Sequence, residues 1–252
     1  MSTFLELTNK LLRRLLEVQL TMSTFASAES TQATAKDCIE AAVQEIYNKE
    51  HRWPFAFKMG SVTLTAGTTE YNFPFTNPNE TNAVDWESFR IRKSTTFNIN
   101  TTPLRLIRRD DWLRSLRAED EDNSTDGRGA PMYVFVTAGP TNSDFGGFGV
   151  SPNPDEAFDV DFDYYKVSPG LSLYDDETDI PSRFDYVIIN FALKHFYMFK
   201  DNIEQAQLWT TEAEKALADM KYTLMPRKDS MTSTVINYGG QSGNGIRDWY
   251  RR

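Results

Sequence analysis

The sequence predicts an α+β fold: helix pairs from the N- and C-terminal parts form one bundle, with a β-rich subdomain inserted between them and an extended C-terminal tail. Three observations carry this. Apolar residues recur at helical spacing before Trp53 and after Asp179, and between them the period shortens to that of strands broken by Asn, Asp, Ser, Gly and Pro. From Pro226 onward the chain is polar and glycine-rich, with no apolar period. The expected divisions are 1–52 and 179–225 for the two halves of the bundle, 53–178 for the β-rich subdomain and 226–252 for the tail.

Composition limits the function classes. With 252 residues, 40% of them hydrophobic, the chain can bury a sizeable core and is not wholly disordered. It has no uninterrupted apolar run of the ~18 residues a membrane helix requires, and Glu6 interrupts the first apolar stretch too early for a secretory segment. No membrane partner is expected, and the chain stays in the cytoplasm where it is made. The single cysteine, Cys38, excludes a disulfide within one chain and sits at an apolar helical position, as a buried structural thiol does. Net charge is −9 and uneven: from Pro226 onward five basic residues face two acidic ones, leaving −12 on residues 1–225. Such a body argues against tight DNA binding, which draws much of its affinity from phosphate neutralisation.

The first helix starts at Thr3, whose spacing to Glu6 is that of a capping box. Leu5, Leu12, Leu15, Leu16 and Leu20 extend it as an amphipathic helix to about Leu20. The second helix carries Cys38, Ile39, Ala42, Val43, Ile46 and Tyr47 on one face and stops before Pro54. Ser61–Thr65 and Glu70–Phe73, joined through Gly67, then read as a β-hairpin. Further strands are expected at Trp86–Arg92, Pro103–Ile107, Met132–Thr137 and Ala157–Val167, with a short helical turn at Trp112–Arg117 and a polar loop at Ala118–Gly129.

Within the last strand Asp159, Asp161 and Asp163 alternate with Val160, Phe162 and Tyr164, which places the acids on one face. A calcium loop is excluded, because the positions that require Gly and Glu hold Tyr164 and Gly170. After Pro181 a helix presents Phe184, Val187, Ile188, Phe191, Ala192 and His195 as a wide apolar face. Asp201 with Glu204 is the expected start of another, carrying Ile203, Ala206, Trp209, Ala213, Ala216, Leu217 and Met220 and ending at Pro226.

No catalytic constellation is visible. His51 and His195 have no partner at zinc-ligand spacing, and neither a nucleophile elbow nor a phosphate loop occurs. Phe145–Gly149 and Tyr238–Gln241 are glycine-rich without a following helix and read as turns. No metal, cofactor or enzymatic activity is expected. A pair of carboxylates brought together by folding, as in a glycosidase, keeps a carbohydrate-binding or cell-wall-degrading role as the alternative.

The order of landmarks resembles the head-to-tail adaptor, or connector, proteins of tailed bacteriophages, in the short-tailed group called tail tubular protein A. The matching pieces are His51-Arg52-Trp53-Pro54-Phe55, Thr69–Pro74, Pro103-Leu104 followed by Asp110-Asp111-Trp112, Gly129–Tyr133, Tyr164-Tyr165-Lys166, and Asp179-Ile180-Pro181 opening a helix pair. They span residues 35–224, while Glu119–Asp126 and Gly139–Pro154 look like expansions.

The resemblance implies a virion protein of the head–tail junction: a subunit of a homo-oligomeric ring, usually twelve-fold. Such a ring docks beneath the portal protein, presents a platform to the tail nozzle protein and lets DNA pass without specific binding. Leu12, Leu16, Phe184, Ile188, Phe191 and Trp209 are then the expected helix-packing contacts between subunits. Arg247, Trp249, Tyr250, Arg251 and Arg252 are the expected portal anchors, since aromatic and arginine side chains dominate interface hot spots. Asp159, Asp161 and Asp163 are candidates to line the channel.

Overall fold

The structure, a computed structural model, describes residues 1–75, 81–93, 101–117, 127–140 and 146–225. It is α+β, and it divides into two compact units: residues 1–42 with 171–252, and residues 43–170.

In the first unit, α1 (Phe4–Arg14) is capped as the sequence predicts. The Thr3 side chain accepts from the Glu6 amide, and the Glu6 carboxylate accepts from the Thr3 amide. The helix is shorter than its leucines suggest. Leu15 caps it, Leu16 turns left-handed at φ 60°, and Asn9 binds both backbone groups of Leu20 at 2.8 and 2.9 Å. That clamp folds the chain back, so Leu20 is buried from a loop while Leu16 is 94% exposed.

The first part of α2 (Thr31–Lys49) also belongs to this unit. Phe25, in the connection before it, packs edge-to-face on Phe4 at 5.1 Å, and Lys36 lies 4.3 Å from the Phe25 ring. Burial pushes the Cys38 thiol up to about 11, with the charge of Asp37 adding to the shift, which keeps it protonated and unreactive. Later in the chain a 3₁₀ turn at Ser182–Phe184 leads into Asp185–Phe199, here called α4, and Ile203–Leu224 is α5. Asn202, not Asp201, caps α5, accepting from the Gln205 amide, while Asp201 occupies a left-handed turn at φ 54°. α4 packs against both α1 and α5.

The second unit holds two four-stranded sheets, in orders β1-β8-β3-β4 and β2-β7-β6-β5. The strands are β1 (Phe57–Leu64), β2 (Glu70–Asn72), β3 (Thr81–Lys93), β4 (Thr102–Pro103), β5 (Arg105–Leu106), β6 (Tyr133–Thr137), β7 (Gly147–Ser151) and β8 (Phe158–Lys166). All neighbours are antiparallel except β5 and β6. The expected hairpin does not form. β1 pairs with β8 in one sheet and β2 with β7 in the other, so the turn at Gly67 (φ 77°) carries the chain between sheets. The Tyr71 hydroxyl stabilises this crossing: its single O–H is shared between the carbonyls of Thr65 and Thr68, and its oxygen accepts from the Thr65 amide.

The core between the sheets is largely aromatic. Phe89 of β3 stacks on Phe162 of β8 at 5.2 Å, and Phe148 of β7 meets Phe89 edge-on at 5.4 Å from the opposite sheet. The short helix α3 (Arg109–Ser115) stacks Trp112 on Phe135 of β6 at 4.5 Å. At the end of α2 the Trp53 indole donates to the Ile46 carbonyl at 2.9 Å and stacks on Phe55. Of the glycine-rich run read as a turn, Gly147, Phe148 and Gly149 instead open β7, which is buried along its whole length.

Candidate functional site

Among the described residues no group of three or more His, Cys, Asp and Glu side chains is arranged to hold a metal ion, and no helix is long and apolar enough to cross a membrane.

On the helical unit, Leu12, Phe184, Ile188 and Phe191 are all at most 4% exposed. Their apolar area is buried within the chain's own core, which leaves little of it for a neighbour to cover. Periodicity marks the apolar face of a helix but not whether the same chain covers it. Trp209 is partly buried, with the Arg14 guanidinium 5.9 Å from its ring and Arg14 held by the Asn190 side chain at 3.1 Å. The uncovered apolar groups lie elsewhere: Leu16, Met198, Phe199, Ile203, Leu208 and Tyr222 are each more than half exposed. Met198, Phe199 and Ile203 form the corner between α4 and α5.

Beside α1 a depression of about 410 Å³ is lined by Lys10, Arg13, Arg14, Asp185, Tyr186 and Ile189. Asp185 is 7% exposed; its Oδ2 accepts from Ser2 at 2.6 Å and from Lys10 at 2.5 Å. A buried carboxylate needs such partners, because desolvating a lone charge is costly. The pair ties α1 to α4 and serves as a structural lock.

On the β unit the three aspartates behave differently from one another. Arg92 donates to Asp161 at 3.0 Å and lies 3.6 Å from Asp159, which also accepts from the Thr63 hydroxyl at 2.8 Å. Asp163 stands opposite Asp85 across the β3–β8 ladder; burial and that neighbouring charge hold its carboxyl above the usual carboxylate range, with Arg90 opposing. A raised carboxylate pKa means the folded chain binds this proton more readily than the unfolded one. The ionised group therefore opposes folding at neutral pH, and the penalty fades as pH falls through the folded value. Asp163→Asn is expected to raise the melting temperature slightly at pH 7, with the gain vanishing in acid. A melting series over pH checks this, and a lower melting temperature for the variant at pH 7 would refute it.

The portal anchors Arg247, Trp249, Tyr250, Arg251 and Arg252 lie outside the described residues, as do most of the polar loop 118–129 and the second glycine-rich run.

The described residues thus form two compact units, with uncovered apolar side chains on the helices. The chain belongs to the SU10 adaptor protein family, whose model matches residues 2–237. It is accordingly a phage adaptor, a structural part of the virion that interacts with other virion proteins. No curated protein matches the chain. The family match ends before the expected anchors, which therefore have no support from it.

Proposed function

We propose that this chain is a head-to-tail adaptor subunit that closes into a ring, twelve-fold as in tail tubular protein A, between the portal protein and the tail nozzle protein. The ring surrounds a channel through which DNA passes without specific binding. The helical unit supplies contacts between neighbours through Leu16, Leu208, Trp209 and the Phe199–Ile203 corner. The β unit faces the tail nozzle, and the tail reaches the portal through Arg247, Trp249, Tyr250, Arg251 and Arg252. Asp159, Asp161 and Asp163 remain the candidate channel acids, and a body at −12 gives passing DNA no basic face to hold.

The observation that carries this reading is the uncovered apolar surface of α4 and α5 in a family of adaptors. A heterologous contact repeated around a closed ring covers such surface on every copy, whereas a monomer leaves it wet. Native mass measurement and end-on electron microscopy of the protein, alone and mixed with its portal, test the proposal. Rings are expected, and Phe199→Ser combined with Leu208→Ser should weaken them while leaving the circular dichroism spectrum unchanged. A chain that stays monomeric with portal and within particles would overturn the ring.

A further inference from the structure

Among the described residues the two sheets have four edges, and three are strands of two or three residues: β2, β4 and β5. Such short edges offer little backbone for another chain to pair with. The fourth edge, β1, differs in every respect. It runs for eight residues in unbroken register with β8, with no bulge and no proline, and Lys58 is its only charge. Phe57 and Met59 are 40% and 72% exposed along it. Among the described residues no strand pairs with its outer side. A long, regular, weakly charged edge is a template for strand addition, and natural sheets rarely leave one uncovered.

The same chain contains a run suited to this edge. Residues 231–238, Met-Thr-Ser-Thr-Val-Ile-Asn-Tyr, have five β-branched or aromatic side chains among eight, with no proline, glycine or charge. Arg227, Lys228 and Asp229 precede the run and Gly239-Gly240 follow it, the punctuation expected of a strand. It lies beyond Met225, the last residue described. Nearly all of it falls inside the family match, which ends at residue 237, whereas the glycine-rich remainder does not. The other β-prone stretch, 94–100, connects β3 to β4, which lie at the opposite end of the sheet order from β1.

We propose that residues 231–238 of one copy add as a strand to the outer edge of β1 in the neighbouring copy. The proposal rests on the ring reading. Donor and acceptor are different elements, so each copy gives to one neighbour and receives from the other, which is the head-to-tail bonding that closes a ring. Residues 226–230 can span up to about 18 Å between α5 and the run, enough to leave the donor's own helix.

Paired cysteines test it. The single native thiol, Cys38, is buried and stays protonated, so introduced thiols report cleanly. Ser61→Cys is combined with Ser233→Cys or with Val235→Cys, the assembled protein is oxidised, and the products are separated under denaturing, non-reducing conditions. A covalent ladder reaching the ring's copy number is expected, abolished when Val235→Pro is added to the Ser233→Cys pair, because proline cannot complete the ladder of hydrogen bonds. A chain truncated after Tyr238 should still form rings, and one truncated after Met225 should need at least tenfold more protein to do so. Rings seen end-on without a ladder, or cross-links closed only within single chains, would sink strand addition and leave the adaptor ring standing. Absence of rings altogether would remove both.

Discussion

Phe162→Ala is expected to lower the unfolding free energy by about 3–5 kcal/mol, the cost of truncating a fully buried phenylalanine that cannot be replaced by collapse of its surroundings. Phe162 is 1% exposed and is the hub of the aromatic core: its ring lies 5.2 Å from Phe89, 5.3 Å from Phe73, 6.3 Å from Phe75 and 6.4 Å from Phe148. It also covers Gly60, where a Cβ would stand 2.6 Å from its ring carbon. Removing it leaves a void that residues of both sheets border, and rigid rings fill voids poorly. Urea unfolding followed by tryptophan fluorescence measures the loss. A cost below about 1 kcal/mol would mean that the sheets close over the gap, contradicting a tightly packed core.

The second large effect is expected at Gly147. A Cβ there would overlap the Tyr71 carbonyl oxygen and the backbone of Gly139, neither of which can move away like the end of a flexible side chain. Gly147→Ala should therefore cost about 1–3 kcal/mol or more, the range for overpacking, although alanine is the smallest possible addition. Gly170→Ala provides the control, since a Cβ there meets nothing within 4 Å, and it should stay within about 0.5 kcal/mol of the parent. Thermal melts of the two variants decide the matter. Equal stability would show that β7 does not approach β2 and Gly139 as closely as the structure places it.

The two substitutions also mark what can be read from sequence. The alternation of β8 is legible because Phe158, Val160 and Phe162 enter the core while Asp159, Asp161 and Asp163 remain half-buried on the other face. The capping box of α1 and the buried face of α2 are legible for the same reason: their causes lie within a few residues. β7 is hidden because glycines carry no β-propensity, and what demands them is Phe135 lying over Gly149 and Tyr71 against Gly147. The end of α1 is hidden because Asn9 captures Leu20 through a loop. The local turn signal at Gly67 is correct, yet the partners of β1 and β2 are strands more than 70 residues away. Contact surfaces are harder still. Leu12 and Leu16 share one predicted stripe, but one is in the core and the other is in water.

The division of the chain also constrains the order in which it can be made. Residues 43–170 are contiguous, so every strand of the β unit has been synthesised by the time translation reaches Leu171. The helical unit has no such autonomy: α1 precedes the β unit, while α4, against which it packs, follows it. A nascent chain therefore carries α1 with its apolar face uncovered until α4 emerges, and the helical core is the last part to close. The uncovered apolar side chains of α4 and α5 thus belong to the unit completed last.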